Sequence, residues 1–297
     1  MKIAFVGASG YGNVGDNTYP LVFQQNLPGH DLIFYNSDLP AELPSDVKLV
    51  VLGGGGIIYN SRMEPETAES EHFRYMKFYM DWAIAHRVPY GILSCGFQFA
   101  PGQSSSHTVA LTPWVAYLKN ALFLTFRSPK CARVAANLSG RADCHFFPDA
   151  AYLLQPSHLQ APSNRKTLVL VPAGAVNAGD GFIQHFLRPF DPKHYDHVWL
   201  SMGAMVDDEP LLADARRIYP QAQIIEHPTP NEALDCIASA YFVLSGRYHG
   251  LIFARSSGVP YYVPQDSPYK IRAEDRSAEP ATAVGHFEVL RAAMAAL

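Results

Sequence analysis

The residues best suited to chemistry stand together in the C-terminal half, in the sequence "SGRYHG". Arg247 offers a fork of donors that matches a carboxylate or a phosphate, and His249 can carry or receive a proton near neutral pH. Both follow an apolar strand-like run and precede an apolar helix-like run, so we expect them to point into a ligand crevice at the end of a strand. A histidine alone is more often structural. Here it shares its junction with Arg247 and two glycines, which favours a functional role.

A glycine-rich stretch near the N-terminus, "GASGYGNVGDNTYP", follows the apolar run "KIAFV". Its G-x-G-x-x-G spacing is typical of a turn that presents a helix N-terminus to a dinucleotide phosphate. Asp38 lies about 20 residues further on, where a ribose-binding carboxylate is expected. The alternative is a plain turn in which Asn13 or Asp16 caps the following helix. The three glycines are Gly10, Gly12 and Gly15.

A second glycine run lies in "VVLGGGGIIYN", directly after a β-branched run that predicts a strand. Glycines there allow a ligand to approach the backbone closely, and their N–H groups can be offered to an anion or a sugar oxygen. Close packing between strand and helix is the alternative explanation. The four positions are Gly53, Gly54, Gly55 and Gly56.

These candidate residues lie in a chain where short apolar runs alternate with helix-length segments, which predicts parallel α/β sheets. The first half contains "KIAFVG", "DLIFYN", "VKLVVLGGGG", "VPYGILS", "NALFLTF" and "CHFFP". The second half contains "TLVLVPAG", "HVWLSMG", "AQIIEHP", "AYFVLSG" and "VPYYVPQ". The spacing of apolar residues predicts one long helix over residues 69–87.

The chain length of 297 residues favours two domains. The polar, proline-containing stretch "QPSHLQAPSNRK" is typical of a linker. We therefore predict an N-terminal α/β domain over residues 1–158 and a C-terminal α/β domain over residues 166–297. The polar segment 264–285 is expected to be a loop.

The composition restricts the kinds of ligand and partner that the protein is expected to bind. A formal net charge of −4 provides no general attraction for nucleic acid, so an anionic ligand needs local Arg and Lys clusters. The four cysteines lack C-x-x-C spacing, which favours reduced thiols and predicts no zinc site. His194 and His197 in "HYDH" have no third ligand, so an exposed turn is predicted there. The cysteines are Cys95, Cys131, Cys144 and Cys236.

The N-terminal apolar run is too short for a signal segment or a membrane span. We read it as the first strand of a cytoplasmic protein. Peripheral association with the inner face of a membrane stays open, because exposed aromatic side chains can lie at a lipid surface.

Several blocks of the sequence, in order, resemble the polysaccharide pyruvyl transferase family. They are "GYGNVGD", "LGGGGIIYN", "FFPDAAYLL" and "SGRYHGLIFARSSGVP", with Lys270 downstream. The resemblance implies an α/β fold of the GT-B type, with two Rossmann-like domains facing across a cleft. It also implies that phosphoenolpyruvate donates its pyruvyl group to a saccharide as a ketal, with no cofactor and no metal. Asn13 and Asp16 match the family's Gly-Asn-x-Gly-Asp signature, so the dinucleotide spacing becomes coincidental.

One block departs from the family pattern. Members commonly carry an Arg-Asp pair at the end of a late strand of the first domain, where this chain has "FRSPKCA". Arg127 is retained, but Ser128 occupies the acidic position. Asp149 in "FFPDA" matches the pattern. Arg127 is therefore a weaker candidate for substrate contact than Arg247.

The resemblance and the chemistry together assign roles. His249 is the general acid that protonates the enol carbon, and Arg247 with the backbone N–H of Tyr248 binds the donor's anionic groups. Asp16 is the candidate base for the acceptor hydroxyl, with a helix cap as its alternative role. Lys270 adds positive charge over the donor or is a solvated surface group.

The acceptor is expected to bind on the first domain. Tyr59 and Asn60 can stack on a sugar and hydrogen bond to it, next to the glycine run. The partner is then a saccharide or a lipid-linked oligosaccharide. The sugar, the linkage and the oligomeric state do not follow from the sequence.

Two other functions fit the same pattern. A GT-B-type glycosyltransferase or an epimerase would use a nucleotide sugar on the same fold, and fold alone does not choose between activities. A non-catalytic module that binds a dinucleotide or a saccharide is the third reading, prompted by Ser128 in place of an acidic residue.

Overall fold

The first sheet consists of six strands, which pair in parallel in the spatial order β2-β1-β3-β4-β5-β6. All six segments predicted in the first half are strands, because runs rich in Val, Ile, Leu and Phe suit a sheet that is covered on both faces. The bounds are β1 Lys2–Gly7, β2 Asp31–Asn36, β3 Leu49–Ile58, β4 Tyr90–Phe97, β5 Leu124–Phe126 and β6 Cys144–Phe146.

The second sheet has five parallel strands in the order β11-β10-β7-β8-β9. The chain therefore leaves β7 towards β8 on one side and later returns to place β10 on the other. A ligand crevice is expected where the strand order reverses in this way, at the carboxyl ends of β7 and β10. The bounds are β7 Lys166–Val171, β8 Tyr195–Leu200, β9 Gln223–Ile225, β10 Phe242–Ser245 and β11 Tyr261–Tyr262.

Residues 212–213 and 215–217 are helical, and seven further α-helices have defined bounds in the part of the chain that this computed structural model describes. They are α1 Thr18–Asn26, α2 Glu71–Ala85, α3 Val115–Asn120, α4 Pro129–Ser139, α5 Pro230–Ala238, α6 Tyr248–Ser256 and α7 Gly285–Ala295. Three 3₁₀ helices cover Val109–Trp114, Ala150–Leu153 and Pro280–Val284. The described residues are 1–10, 12–36, 41–59, 69–97, 109–156, 166–172, 190, 193–203, 209, 212–213, 215–217, 219–263 and 278–297.

Local sequence explains the helix ends. Ser70 accepts a hydrogen bond from the Phe73 N–H (3.2 Å) and begins α2, which is shorter than the predicted range 69–87 at both ends. Thr229 and Glu232 form a capping box at α5. None of the helices in the described ranges combines the length and the apolar character needed to cross a membrane.

The chain divides into two compact units that are not contiguous in sequence. The first unit comprises Met1–Gly10, Tyr19–Ala150 and Ala273–Leu297, and the second comprises Tyr11–Thr18 and Ala151–Arg272. The predicted contiguous division at residues 158–166 differs from this at three segments: residues 11–18 and 151–158 belong to the second unit, and residues 273–297 belong to the first. The C-terminal helix α7 belongs to the first unit, where the Phe287 ring lies 5.8 Å from the Phe23 ring. The segment around Asn13 belongs to the second unit.

His286 ties α7 to the first sheet. Its Nε2 lies 2.9 Å from the Pro148 carbonyl oxygen, which can only accept, so Nε2 donates. Its Nδ1 lies 2.8 Å from the Thr125 hydroxyl. The side chain is fully buried, and this burial lowers the pKa of His286 from its usual 6.5 to about 4. The imidazole is therefore neutral at physiological pH.

We expect the free energy of unfolding to fall as the pH falls from 6.5 to 4. The unfolded chain takes up a proton on this histidine near pH 6.5 and the folded chain only near pH 4, so the unfolded state binds more protons in that window. The contribution lost is about 3 kcal/mol. Denaturant titrations across the window should show a smaller fall for His286→Gln. The exposed-site variant His145→Gln should keep the full fall, and identical falls in all three proteins would contradict this prediction.

Candidate active site

The junction between β10 and α6 is held tightly. Arg247 is the N-cap of α6. The buried Ser245 hydroxyl donates to the Arg247 carbonyl oxygen (2.9 Å) and accepts from the Arg247 N–H (3.2 Å). A Cβ at Gly250 would overlap the Ser245 hydroxyl and would lie 3.2 Å from a methyl carbon of Val171. The glycine after the histidine is therefore required for α6 to pack on β7 and β10.

Arg247 lies at the point where the strand order of the second sheet reverses. Its Nε donates a hydrogen bond of 2.9 Å to the carbonyl oxygen of Pro172, the residue after β7. This bond fixes the half-buried guanidinium at the carboxyl ends of β7 and β10, and its predicted contact with a ligand stays a prediction.

His249 lies one residue into α6 and is only 8% exposed. Its ring centroid is 5.4 Å from that of Tyr248, at an interplanar angle of 74°. Gly15 lies against the imidazole, because a Cβ built there would overlap its Nδ1 and Cγ atoms. The structure thus brings the N-terminal signature and the Arg-Tyr-His block together within the second unit.

The signature segment is attached to the second sheet through its backbone. The Val14 N–H donates to the carbonyl oxygen of Met202, just after β8 (3.1 Å). Asn13 Oδ1 accepts from the backbone N–H groups of Gly15 (3.0 Å) and Asp16 (3.4 Å). Of the two predicted capping residues, Asn13 therefore shapes this turn. Asp16 is half-buried beside it, and its role as a base stays a prediction.

The glycine run of the first unit lies inside β3 and not after it, which corrects the predicted placement. A Cβ at Gly53 would lie 2.7 Å from the Leu93 carbonyl oxygen, and one at Gly54 would overlap the Tyr19 ring. Gly55 has a φ of +97°, which a side chain disfavours. Gly56 is the half-buried fourth member. Close packing therefore explains Gly53 and Gly54, the backbone conformation explains Gly55, and a contact with substrate stays a prediction.

Tyr59 follows directly after β3. Its ring stacks on that of His72, with centroids 4.0 Å apart and an interplanar angle of 6°, so His72 covers one of its two faces. The Tyr59 carbonyl oxygen accepts a bond from the Trp114 indole (3.0 Å). Any sugar would have to use the other face. Asn60, Lys270 and Asp38 lie outside the described residues.

Arg127 forms a buried ion pair with Asp149 (3.0 Å) within the first unit, and their side chains are 6% and 0% exposed. The Tyr19 hydroxyl donates to the same Asp149 oxygen (2.9 Å) and accepts from Arg127 (3.1 Å). A Cβ at Gly96 would lie 2.7 Å from the Arg127 Nε. Arg127 is thus held by protein groups, and its predicted contact with substrate stays untested.

The departure at Ser128 has a structural explanation. Ser128 is the N-cap of α4, and its hydroxyl accepts a hydrogen bond from the Cys131 N–H (3.2 Å). Serine and aspartate cap helices about equally well. A serine can therefore replace an acidic residue at this position with the helix start intact.

The predicted exposed turn at "HYDH" is wrong for the last three of its four residues. His194 is in a turn, but Tyr195 begins β8 and His197 is buried, with a ring nitrogen 3.0 Å from the Phe190 carbonyl oxygen. The aromatic and β-branched residues that follow favour a strand over the turn. Within the described ranges, no cluster of three or more His, Cys, Asp or Glu could hold a metal ion.

Solved structures similar to this chain share its fold at low sequence identity. The UDP-GlcNAc 2-epimerase of Methanocaldococcus jannaschii, in complex with UDP-GlcNAc and UDP, is 10% identical with a TM-score of 0.53, over 97% of this chain and 92% of that one. HepE of Anabaena, in complex with UDP-glucose, is 10% identical with a TM-score of 0.56, over 99% and 98%. The UDP-GlcNAc 2-epimerase of Neisseria meningitidis, bound to UDP-GlcNAc, is 9% identical with a TM-score of 0.52, over 98% and 92%. The predicted fold class, two Rossmann-like domains of the GT-B type, is confirmed.

The sequence comparisons decide the family. A search of curated protein sequences gave no match. The polysaccharide pyruvyl transferase family matches residues 15–263. That range includes Gly15, Asp16 and the block from Arg247 to His249, whereas Asn13 and Lys270 lie outside it. The match spans most of the sequence, and the chain belongs to the polysaccharide pyruvyl transferase family.

Proposed function

We propose that this enzyme transfers the pyruvyl group of phosphoenolpyruvate to a saccharide and forms a cyclic ketal. The observation that carries the proposal is the pairing of Arg247 and His249 at the start of α6, where the strand order of the second sheet reverses. A cation and a proton donor suit an anionic enol ester at such a crevice.

The donor would bind through charge. The guanidinium of Arg247 would contact the carboxylate or the phosphate, and the positive N-terminal end of α6 would favour the same anion. As the phosphate leaves, both would stabilise the negative charge that it gains.

His249 would then start the chemistry. Its proton passes to C3 of phosphoenolpyruvate, and the electron pair of the C2–C3 double bond forms the new C–H bond. C2 becomes electrophilic, and a sugar hydroxyl attacks it and loses its proton to Asp16 or to water. The C2–O bond to the phosphate then breaks, with its electron pair staying on the phosphate oxygen. A second hydroxyl of the sugar attacks C2 and returns its proton to His249, which closes the ketal, while the leaving phosphate takes up the proton of the first hydroxyl through Asp16 or water. General acid catalysis of this kind contributes about 10²–10⁴-fold in rate.

The acceptor would be a sugar of a cell-surface glycan or exopolysaccharide precursor, free or lipid-linked. We place it by the first unit's Tyr59, whose aromatic ring suits stacking on a sugar, and we expect Asn60, the next residue in the sequence, and the glycine run from Gly53 to Gly56 to contribute. A lipid-linked acceptor would bring this cytoplasmic enzyme to the inner face of the membrane.

The deciding assay measures release of inorganic phosphate from phosphoenolpyruvate with and without a panel of saccharides. Saccharide-dependent release supports pyruvyl transfer. Release of a nucleoside diphosphate from a nucleotide sugar, with no turnover of phosphoenolpyruvate, would support a glycosyltransferase or an epimerase instead. Titration with phosphoenolpyruvate and NAD distinguishes a binding module, which would bind and not turn over.

We expect Arg247→Ala to raise KM for phosphoenolpyruvate by about 10- to 100-fold, because a hydrogen bond to a charged group contributes about 1.5–3 kcal/mol. Arg247→Lys should recover only part of this loss, since an ammonium lacks the planar fork. Initial rates over a range of donor concentrations measure both effects. Arg216→Ala removes an exposed arginine of the same unit and serves as the control. An unchanged KM in Arg247→Ala would remove this residue from the donor site.

A further inference from the structure

We propose that Gly15 is a positioning residue: its missing side chain sets where the His249 imidazole stands. This inference rests on the proposed function, in which His249 is the general acid. The observation that carries it is that a Cβ built on Gly15 would overlap the Nδ1 and Cγ atoms of His249 and would lie 2.7 Å from its Cβ. Real Cβ atoms do not make such contacts, so one of the two residues would have to move.

The requirement for glycine at this position is steric. Gly15 is not among the glycines with positive φ, whereas Gly10 and Gly12 are, at +97° and +76°. An alanine could therefore adopt the backbone conformation of Gly15. What it could not do is share space with the imidazole. The opposite holds at Gly12, where an added Cβ would meet nothing within 4 Å.

The backbone on the Gly15 side resists displacement. Val14 is bonded to the Met202 carbonyl oxygen through its N–H, and its own carbonyl oxygen accepts from the Thr18 hydroxyl (3.1 Å). Asn13 Oδ1 holds the N–H of Gly15 itself (3.0 Å). Moving the segment away from His249 would break several of these hydrogen bonds together.

The helix that carries His249 is equally constrained. Gly250 packs against Ser245 and Val171 with no room for a Cβ, and Ser245 holds Arg247 through two hydrogen bonds. Since neither backbone gives way easily, the imidazole is the part that would turn. Rotation about its side-chain torsions is the least costly way to relieve the contacts with Nδ1 and Cγ. The His249 Cβ is fixed by the backbone, so a small backbone shift must accompany the rotation, and both displace the ring.

The contact also distinguishes the two ring nitrogens. The Nδ1–Cγ edge faces Gly15, so Nε2 lies on the opposite edge of the ring. We assign Nε2 as the nitrogen that delivers the proton to the donor. A displaced ring would move Nε2 relative to the donor carbon, and a misplacement of about 1 Å can cost up to 10²-fold in rate.

The test begins with the protein alone. Imidazole resonances are recorded by NMR for the wild type, and those of His249 are identified by their loss in His249→Gln. Gly15→Ala should shift these resonances, whereas Gly12→Ala, which strains the same segment without meeting the ring, should not. Unchanged His249 resonances in folded Gly15→Ala would overturn the proposal.

A second variant keeps the test decisive if Gly15→Ala does not fold. Asn13→Ala removes the acceptor that holds the Gly15 N–H and should also shift the His249 resonances. Asn13→Asp keeps an oxygen acceptor and should restore them. If the His249 resonances shift in neither Asn13→Ala nor Asn13→Asp, the result would count against the proposal that Gly15 positions the imidazole.

Kinetics provide the functional readout. Gly15→Ala should lower kcat by about 10- to 100-fold with little change in KM for phosphoenolpyruvate, while Gly29→Ala, at an open turn of the first unit, serves as the control. A rise in KM with unchanged kcat would instead make Gly15 part of donor binding and overturn the positioning role. If the wild type turns over no phosphoenolpyruvate, the proposed function fails, and the NMR experiment still decides whether Gly15 positions the ring.

Discussion

His249→Gln is expected to lose pyruvyl transfer by about 10²–10⁴-fold and to keep measurable binding of phosphoenolpyruvate. Glutamine has no acidic proton to give to the enol carbon, so the first step loses its donor. The donor's anionic groups would still meet Arg247 and the start of α6, so binding would depend little on residue 249. The loss should therefore lie in kcat.

Phosphate release with a responsive saccharide measures the rate, and calorimetric titration measures the binding. His249→Ala tests the same step with a smaller side chain, which leaves a cavity next to Gly15. His194→Gln changes an exposed histidine of the same unit and should behave as the wild type. Wild-type turnover by His249→Gln would end the assignment of His249 as the acid.

The architecture was largely readable in the sequence. All eleven predicted strand segments are strands, because each is a short apolar run bounded by Gly, Pro or Asp and separated by a helix-length segment. Parallel pairing follows from that alternation. No local sequence signal predicts the strand order, which reverses between β7 and β10. The contact between Arg247 and Pro172 depends on that order, so it could not be predicted from the sequence.

The position of the Gly53–Gly56 run shows where local reasoning is limited. Glycine is a weak strand former, so the run was predicted to follow the strand that it continues. Glycine is required at Gly53 and Gly54 because there is no room for a side chain beside Leu93 and beneath Tyr19. Leu93 and Tyr19 are both distant from the run in sequence, so the steric requirement for glycine is seen only in the folded structure.

The contact between Gly15 and His249 depends both on the strand order and on close packing between residues that are distant in sequence. Each residue was selected from its own motif, but nothing in either motif tells that one packs on the other. The same holds for Tyr19, which sequence reasoning missed. It carries no motif of its own and is recognised only from its hydroxyl between Arg127 and Asp149.

Asp149→Ala is expected to destabilise the protein by about 3–5 kcal/mol, because it removes the carboxylate that pairs with the buried charge of Arg127. The Arg127 side chain is 6% exposed and cannot reach water without a rearrangement of the first unit. The Tyr19 hydroxyl would lose its acceptor as well. Thermal and urea unfolding followed by circular dichroism measure the loss.

The double variant Arg127→Met/Asp149→Leu separates the cost of an unpaired buried charge from the cost of lost side-chain volume. Replacing both members of a buried pair by apolar residues of similar size is often neutral or stabilising, so the double variant should be clearly more stable than Asp149→Ala. Glu226→Ala breaks the exposed pair with Arg216, whose side chains are 47% and 45% exposed, and should cost less than about 1 kcal/mol.

The same double variant tests the predicted contact of Arg127 with substrate. If the buried pair is structural, Arg127 bonds to Asp149 and Tyr19 and not to the donor. The folded double variant should then keep the wild-type KM for phosphoenolpyruvate. A folded double variant with a strongly raised KM would assign Arg127 to the donor site. A loss in Asp149→Ala no larger than that in Glu226→Ala would contradict the predicted cost of breaking this buried ion pair.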